Sequence, residues 1–504
     1  MLASAHTFTL LGVEARPVRV EVAVDSGLDS FSLVGLPDAA VRESRERVRA
    51  ALRNSGFDFP RQRITANLAP GDLRKDGPGL DLAIAAALLG SSGQLTPATL
   101  DGLALAGELA LDGSIRPVPG TLAMAEAARS AAVPALAVPV ENGPEAALAA
   151  GPRIVPVSHL RQLPLIGTDE EPAPPRPLPL SANGAVAELP DLADLRGQPA
   201  LRRALEVAAA GGHNLLLVGP PGAGKSLAAR RVPSILPPLD DAEAIEVLRI
   251  ASACGRSPDR VEARLRPFRA PHHTISTAGL VGGGTPPRAG EVTLAHRGVL
   301  FLDELGEFRR DALEALRQPL EDGRVAIVRA RHAIELPCRF MLVAATNPCP
   351  CGHGPQSGEC ECPPAAILRY QSRVSGALAD RIDATIQLER PSAAEMGSDP
   401  GEGSAPVRER VVAARERQAD RLGAGRCNAE TSGAEIRDRG RIEAGARDLL
   451  ERGYDALRMS GRGYDRVLRL ARTVADLAGS ETVTEEHVGE ALMLRRRAAI
   501  GFDR

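Results

Sequence analysis

The chain has 504 residues, of which 61 are lysine or arginine and 64 are aspartate or glutamate, so its formal net charge is −3. This balance excludes a generally basic nucleic-acid coat, and an aromatic content of 2% without tryptophan disfavours single-strand binding on aromatic platforms. Seven cysteines do not indicate a disulfide framework, and no run of about twenty apolar residues predicts a membrane span. The N-terminus lacks a secretory pattern, so we expect a cytoplasmic protein of about two to four domains without a membrane partner.

Residues 1–165 alternate strand and helix signals and predict one mixed α/β domain. The valines at 18, 20, 22 and 24 alternate with other residues, as is typical of a half-buried strand. The other predicted elements are a helix at 38–55, a strand at 63–68, an apolar helix after the glycine-rich turn at 75–80, a hairpin around Asp112 and Gly113, and a helix at 121–132.

Three further regions follow along the chain. Residues 166–188 are rich in proline and small polar residues and predict an extended linker. Residues 189–393 predict an α/β core, because four apolar runs read as parallel strands buried on both faces: NLLLV, GVLFLDE, FMLVAATN and ATIQL. Residues 394–406 predict a loop, and residues 407–504 an arginine-rich domain that is wholly helical.

The most specific motif is GPPGAGKS, which follows the predicted strand NLLLV. Its spacing matches a loop that cradles phosphates between a strand and a helix. Lysine occurs at only two positions in the chain, and one of them is Lys225 of this motif, where a compact ammonium suits phosphates better than a planar guanidinium. We expect Lys225 to contact the β/γ-phosphates and Ser226 to hold Mg²⁺. The predicted nucleotide-binding residues are Gly219, Pro220, Pro221, Gly222, Ala223, Gly224, Lys225 and Ser226.

Polar residues end the next two predicted strands of the core. Asp303 and Glu304 follow the run GVLFL, and Asn347 follows FMLVAAT. Beside a phosphate loop, Asp303 can orient the Mg²⁺ shell and Glu304 can polarise the attacking water. The amide of Asn347 can hold that water against the γ-phosphate. The sequence therefore predicts hydrolysis of ATP with Mg²⁺ as cofactor.

Four cysteines lie within fourteen residues, at Cys349, Cys351, Cys360 and Cys362. Four thiolates can close a tetrahedral Zn²⁺ site, with His353 as a spare ligand. The Cys-x-Cys spacing is tighter than the usual two-residue gap. A structural zinc site and a set of free thiols in an exposed loop both remain open.

Several longer motifs together indicate a family. The segments GGHNLLLVGPPGAGKS, RAPHHTISTAGLVGGG, HRGVLFLDELGEF, RQPLEDG and AATNPCPCG resemble the magnesium-chelatase-like ComM/YifB family of bacterial AAA+ proteins. The resemblance covers nearly the whole chain. It implies a Lon-protease-like N-terminal α/β domain, an AAA+ ATPase core with a parallel sheet and a C-terminal helical lid. It also implies a hexameric ring that hydrolyses ATP between subunits and, for ComM, branch migration of DNA in recombination during natural transformation.

The resemblance also implies roles for single residues. Asn347 corresponds to the sensor 1 element, and Arg381 to the arginine finger that reaches the γ-phosphate of a neighbouring subunit. Arg462 resembles the sensor 2 arginine of the lid and is expected to contact nucleotide, with Arg466 as the rival. With 59 arginines in the chain, a solvated surface charge is the alternative for each.

Two segments are candidates for contact with DNA. Apolar residues alternate on both sides of Arg329-Ala-Arg331-His332, which predicts a hairpin with Arg329, Arg331 and His332 at its tip. In AAA+ helicases that the chain resembles, such a hairpin enters the ring pore, where arginines grip phosphates without reading bases. The second segment, RPFRAPHHTISTAGLVGGG, carries His272 and His273, which would serve DNA contact, metal binding or neither.

A proteolytic function is excluded by the residues at the expected positions. Lon-type proteases carry a serine after a Gly-Pro turn, but this chain has Gly79 there, and Met124 replaces the partner lysine. We therefore expect an oligomeric ATPase motor that moves along branched or forked DNA, single- or double-stranded, together with recombination proteins. The alternative is a magnesium-chelatase-type remodelling chaperone without DNA activity.

Overall fold

The computed structural model describes residues 2–180, 189–256, 264–284, 287–329, 332–354, 358–373 and 378–495. The N-terminal region forms a seven-stranded mixed sheet. Its strands and a small hairpin are β1 Leu2–Leu11, β2 Glu14–Asp25, β3 Ser30–Val34, β4 Arg63–Ala69, β5 Leu103–Leu105, β6 Glu108–Leu109, β7 Ile115–Arg116, β8 Ala135–Pro139 and β9 Arg153–Val157. The strand order in the sheet is β3-β4-β2-β1-β5-β8-β9, and β6 pairs with β7.

Helices cover this sheet because their apolar residues recur at helical spacing. The described helices of the region are α1 Ala39–Asn54, α2 Asp81–Ser91, α3 Pro97–Leu100, α4 Thr121–Ser130 and α5 Gly143–Ala146. Helix α1 begins after Asp38, whose side chain accepts a hydrogen bond from the backbone of Val41 at 2.7 Å, and it buries Val48 and Leu52. Helix α2 is apolar all round and is almost wholly buried.

The core region contains a second sheet of five parallel strands. Its strands and two adjoining hairpins are β10 Leu215–Val218, β11 Phe268–Arg269, β12 Gly282–Gly283, β13 Arg288–Ala289, β14 Val299–Leu302, β15 Arg324–Arg329, β16 His332–Pro337, β17 Met341–Thr346 and β18 Ala384–Gln387. The order is β11-β14-β17-β10-β18, and every pairing in it is parallel. Strands β10, β14 and β17 are buried throughout, as the continuous apolar runs predict.

Helices flank this sheet and form the C-terminal region. In the core they are α6 Pro199–Gly211, α7 Lys225–Ala229, α8 Val232–Ile235, α9 Asp241–Ala253, α10 Thr277–Val281, α11 Glu291–Leu294, α12 Arg310–Ala315, α13 Arg317–Asp322 and α14 Pro364–Arg373. Beyond it lie α15 Ala393–Met396, α16 Ser404–Leu422, α17 Gly433–Arg439, α18 Ala444–Ala456, α19 Gly461–Leu477 and α20 Glu485–Arg495. One apolar cluster joins α16 and α19 to α6 and the core sheet.

Two segments differ in detail from the predicted loops. The described part of the linker, residues 166–180, contains neither helix nor strand, but it packs on the N-terminal region, where the backbone of Leu178 donates to the oxygen of Pro144 at 2.9 Å. The loop predicted at 394–406 contains most of α15, and α16 already begins at Ser404. Helix α15 forms because Ser392 and Glu395 build a capping box at its start.

The hairpin predicted around residue 330 is confirmed in its two strands. Strands β15 and β16 pair antiparallel over six residues each, and Val325, Ile327, Ile334 and Leu336 are buried on one face. Residues 330–331, including Arg331, lie outside the described residues, and for Arg329 and His332 only the backbone is described. The turn between β1 and β2 packs against the same face through Val13, so the N-terminal region supports the base of this hairpin.

Helix α9 is the second contact between the two regions. Its residues Val247 and Leu248 share an apolar cluster with Leu122 of α4. Arg249 also donates to Glu126 at 3.2 Å. In the part of the chain that the structure describes, no helix is both long and apolar enough to cross a membrane.

Candidate nucleotide-binding and metal sites

The predicted nucleotide-binding residues form one loop at the carboxyl end of β10. This nucleotide loop, residues 219–226, leaves the strand at Val218 and enters α7 at Lys225. Gly222 and Gly224 have φ angles of 81° and 83°, a left-handed conformation that glycine adopts without steric cost. The sequence of the loop is therefore suited to a tight turn that exposes its backbone N–H groups.

The ammonium of Lys225 lies inside the curve of the loop. It donates to the oxygens of Gly219 and Pro220 at 2.5 and 2.9 Å, and to Oδ1 of Asn347 at 2.9 Å. Burial lowers the pKa of Lys225, and the carboxylates of Asp303 and Glu304 partly oppose that shift. Neighbouring strands thus bring together residues that are 122 positions apart.

Ser226 and Asp303 meet at the same edge of the sheet. The hydroxyl of Ser226 donates to Oδ2 of Asp303 at 2.5 Å, and the backbone of Glu304 donates to Oδ1 of Asp303 at 3.0 Å. A hydroxyl and a carboxylate oxygen are hard ligands of the kind that Mg²⁺ prefers. The donor set therefore fits a magnesium ion that accompanies a nucleoside triphosphate.

Glu304 has a partner that the sequence reasoning missed. Nδ1 of His273 lies 3.3 Å from Oε2 of Glu304, and the ring of His272 lies 4.1 Å from that of His273. The sequence suggested DNA or metal contact for this histidine pair. Strand β11 neighbours β14, so the segment after β11 reaches the same edge as Glu304, and this strand order was the missing signal.

The arginines expected at the nucleotide lie elsewhere in the same chain. A cavity of about 900 Å³ is lined by Asn214, which precedes β10, and by Arg381, Arg462 and Arg466. It lies at the amino ends of the core strands, whereas the nucleotide loop lies at their carboxyl ends. A strand of four residues separates these edges by about 13 Å. Within one chain, therefore, the cavity that Arg462 lines and the nucleotide loop lie at opposite edges of the sheet.

Two carboxylates pair with the arginines of this cavity. Arg381 forms an ion pair with Glu321, and Nη1 of Arg462 lies 4.0 Å from the same carboxylate. Nε of Arg466 lies 3.4 Å from Asp383. Burial lowers the pKa of Arg381, and the charges of the neighbouring arginines add to this shift. The cluster thus concentrates positive charge around a few carboxylates.

The four cysteines predicted as zinc ligands converge. Their sulfur atoms all lie within 4.8 Å of one another, with Cys349 at 3.2 Å from Cys351 and both at 3.6 Å from Cys360. Sulfurs around one Zn²⁺ at a bond length of about 2.3 Å lie roughly 3.8 Å apart, so the spacing fits a tetrahedral ion.

Family comparisons match these regions in turn. A family model described as subunit ChlI of magnesium chelatase matches residues 20–142, one described as magnesium chelatase, subunit ChlI, matches residues 191–396, and its C-terminal model matches residues 401–495. The YifB protein of Escherichia coli is 43% identical over 98% of this chain and 97% of its own length. The competence protein ComM of Haemophilus influenzae is 41% identical over 98% and 97%.

The chain belongs to the magnesium-chelatase-like ComM/YifB family. Lon protease 2 of Bacillus subtilis is also 30% identical over 31% of the chain. This ComM/YifB protein therefore combines a Lon-protease-like α/β region, an AAA+ core with a parallel sheet and a helical C-terminal region. Its AAA+ core indicates an ATPase.

The Lon-like region of this ComM/YifB protein lacks a nucleophile at the expected position. A Cβ built on Gly79 would meet the side chain of Val118 at 3.6 Å, and Met124 is buried. Lys75 is buried too, and burial lowers its pKa. Its ammonium donates to the oxygen of Pro70 and so holds the turn that leads into α2.

Proposed function

We propose that the protein is an ATP-driven motor whose active sites form between neighbouring subunits of a ring. The observation that carries this proposal is the separation of the nucleotide loop from the arginine cavity. Lys225 lies at the carboxyl edge of the core sheet, and Arg381 lies at its amino edge. Both edges can act on one nucleotide only if the amino edge of one subunit faces the carboxyl edge of the next.

Each subunit would contribute most of the chemistry in cis. Lys225 and the backbone of the nucleotide loop bind the β- and γ-phosphates, while Ser226 and Asp303 hold Mg²⁺, which neutralises phosphate charge. Glu304 polarises the attacking water, and Asn347 orients it. The charge that develops on the phosphate oxygens is then stabilised by Arg381 of the neighbour, with Arg462 beside it.

We further propose that the substrate is DNA. The two-stranded hairpin of β15 and β16 supports this, since its tip carries the sequence Arg-Ala-Arg-His, which suits contact with backbone phosphates. The competence protein ComM matches this chain over nearly its whole length. We propose branch migration during recombination in natural transformation, by a hexamer in the cytoplasm, as the role of this motor.

A second candidate is a remodelling chaperone of the magnesium-chelatase type. It is favoured by the three family models, all of which are described as parts of magnesium chelatase. The nucleotide site is the same in both candidates, so that site does not discriminate between them. The arginine-tipped hairpin favours the DNA motor.

Turnover of ATP with and without forked DNA separates the candidates. Stimulation by DNA supports the motor, unstimulated turnover supports the chaperone, and no turnover indicates a nucleotide-gated scaffold. A branch-migration assay then compares the intact chain with Lys225→Ala and Arg331→Ala. We expect Lys225→Ala to lose all activity and Arg331→Ala to keep basal turnover but lose movement of DNA. Normal branch migration by Arg331→Ala would refute the role of the hairpin.

We also propose that the four cysteines bind Zn²⁺ as a structural ion. The proposal is supported by the convergence of all four sulfurs and by a backbone hydrogen bond from Gly354 to the sulfur of Cys349 at 3.2 Å. The metal would cross-link residues 349–351 to residues 360–362. Metal analysis of the purified chain tests this, with one zinc per chain as the expected result.

A further inference from the structure

The cysteine loop, residues 349–354 and 358–362, lies directly against the nucleotide loop. A Cβ built on Gly352 would lie 2.7 Å from Cδ and 2.9 Å from Cγ of Pro221. Distances under about 3 Å are closer than carbon atoms pack, so only the bare backbone of a glycine fits beside this proline. Gly352 stands directly after Cys351, so one metal ligand lies next to the point of contact.

The cysteine loop is tied to the nucleotide loop at a second point. Asn347 stands two residues before Cys349, and its Oδ1 accepts the hydrogen bond from Lys225 at 2.9 Å. Pro348, between them, packs closely on Gly354, where a Cβ would lie 3.1 Å from Cγ of the proline. The two contacts thus join opposite ends of the nucleotide loop, Pro221 and Lys225, to one short segment.

The described residues of the cysteine loop form no helix or strand that could fix their shape. Of the four cysteines, Cys349 alone is buried, and Cys351 is exposed. Burial therefore holds only one end of the segment. An ion bound by all four sulfurs would close the loop and remove most of its conformational freedom.

We infer that the cysteine loop with its bound metal is a clamp that fixes Pro221 and Asn347 in the shape that binds ATP. The affinity for ATP then depends on the metal, which acts through Pro221 and Asn347. The inference rests on the zinc site proposed above and is independent of any activity on DNA. It assigns Gly352 as a positioning residue, which acts on the nucleotide through Pro221.

Two glycine substitutions in the same loop test the clamp. Gly352→Ala adds a methyl group against Pro221, whereas Gly358→Ala adds one at a position where none of the described residues lies within 4 Å. Both glycines have positive φ, 89° and 72°, so the two variants carry similar backbone strain. The full-length variants are compared for zinc content by atomic emission and for ATP affinity by titration with a fluorescent ATP analogue.

We expect both variants to keep one zinc per chain, and Gly352→Ala alone to weaken ATP binding by about tenfold. Equal ATP affinities in the two variants would overturn the clamp, even if zinc is present. Absence of zinc from the wild-type chain would overturn the metal site itself. Neither result bears on the DNA motor, which is tested by its own assay.

Removal of the metal provides the second measurement. Treatment of the wild-type chain with a chelator should weaken ATP binding to a similar extent, and added Zn²⁺ should restore it. Restoration excludes irreversible unfolding as the cause. Cys360→Ser combined with Cys362→Ser should reproduce the weakened binding, and zinc should not rescue it. Unchanged ATP affinity after verified removal of zinc would contradict the inference.

Discussion

The two edges of the five-stranded core sheet differ in the groups they present, and in the proposed motor they serve opposite parts of one reaction. The carboxyl edge presents the nucleotide loop and the carboxylates of Asp303 and Glu304, which can hold phosphates, a cation and water. The amino edge presents a wide cavity with Arg381 and Arg462, which suits the stabilisation of negative charge. The nucleotide loop therefore lies at one edge, and Arg381 and Arg462 lie at the other.

Under the proposed mechanism, this difference would make a single chain a poor ATPase. A strand of four residues holds the two edges about 13 Å apart, so the groups at one edge do not meet those at the other within one chain. In a closed ring, the amino edge of each subunit would face the carboxyl edge of the next, so every nucleotide site would be complete. In the proposed ring, hydrolysis of ATP would therefore require assembly, because each site would need Arg381 of the neighbouring subunit.

Lys225→Ala should cause the largest loss, because it removes the main charge that opposes the phosphates. We expect turnover to fall by at least about a thousandfold and ATP binding to weaken strongly. Lys225→Arg is the matched control for charge. It should also fail, because a planar guanidinium does not fit inside the loop. Wild-type ATP affinity in Lys225→Ala would remove the carboxyl edge from the reaction.

Arg381→Ala should lower kcat by about a hundredfold to a thousandfold while the chain still binds ATP, because the arginine acts on the transition state from the neighbour. Mixing this variant with Lys225→Ala provides the decisive measurement. Some interfaces in mixed rings combine an intact nucleotide loop with an intact Arg381, so part of the turnover should return. Two variants that stay inactive when mixed would show that both residues serve the same subunit.

Arg462→Ala should have a smaller effect on turnover, about tenfold. The side chain of Arg462 is 66% exposed, so its contacts are weaker than those of a buried arginine and their removal costs less. Arg452→Ala, at an exposed position of α18, is the control for loss of an arginine from the C-terminal region. The two variants are compared by steady-state turnover at saturating ATP. Similar rates in both would assign Arg462 to the surface.

His273→Ala should lower kcat by about threefold to fivefold and leave KM for ATP unchanged, because the histidine orients the Glu304 carboxylate but is not placed at the phosphates. His272→Ala is the control in the same loop. A change in KM rather than kcat would indicate that His273 contributes to binding. In that case His273 would belong to the nucleotide-binding site together with the nucleotide loop.

Glu246 forms ion pairs with His296 and Arg297 near the amino edge, and we expect these pairs to stabilise the fold. The variant Glu246→Gln tests this role. The hydrogen bond from His296, together with Arg297, lowers the pKa of Glu246 to about 2. A carboxyl group whose folded pKa is depressed stabilises the fold above its unfolded pKa of about 4.3, and that stability is lost as the pH falls toward about 2.

After allowance for solvent screening at a partly exposed group, we expect Glu246→Gln to lower the free energy of unfolding at pH 7 by about 1 kcal/mol. Urea unfolding should show this difference fully at pH 7 and reduced at pH 3. Glu46→Gln, at an exposed position of α1, is the control and should differ little from wild type. A difference that is independent of pH would point to packing rather than charge.

Short-range patterns were sufficient for several parts of the molecule. Helix α1 was predicted within one residue at each end, because its cap and its apolar spacing are local. The strands of the hairpin were predicted for the same reason. The prediction of a loop at 394–406 was partly wrong, because it did not take account of the capping box at Ser392, which starts helix α15.

By itself, the sequence determined that the chain has a nucleotide loop, two carboxylates after a buried strand, and a cysteine cluster. These features depend on residues close together in the chain, whose spacing and chemistry restrict what they can form. Only the tertiary structure decided that His273 meets Glu304, that Arg381 and Arg462 lie opposite Lys225, and that Gly352 touches Pro221. Those contacts depend on the order of strands in the sheet, which local periodicity does not encode.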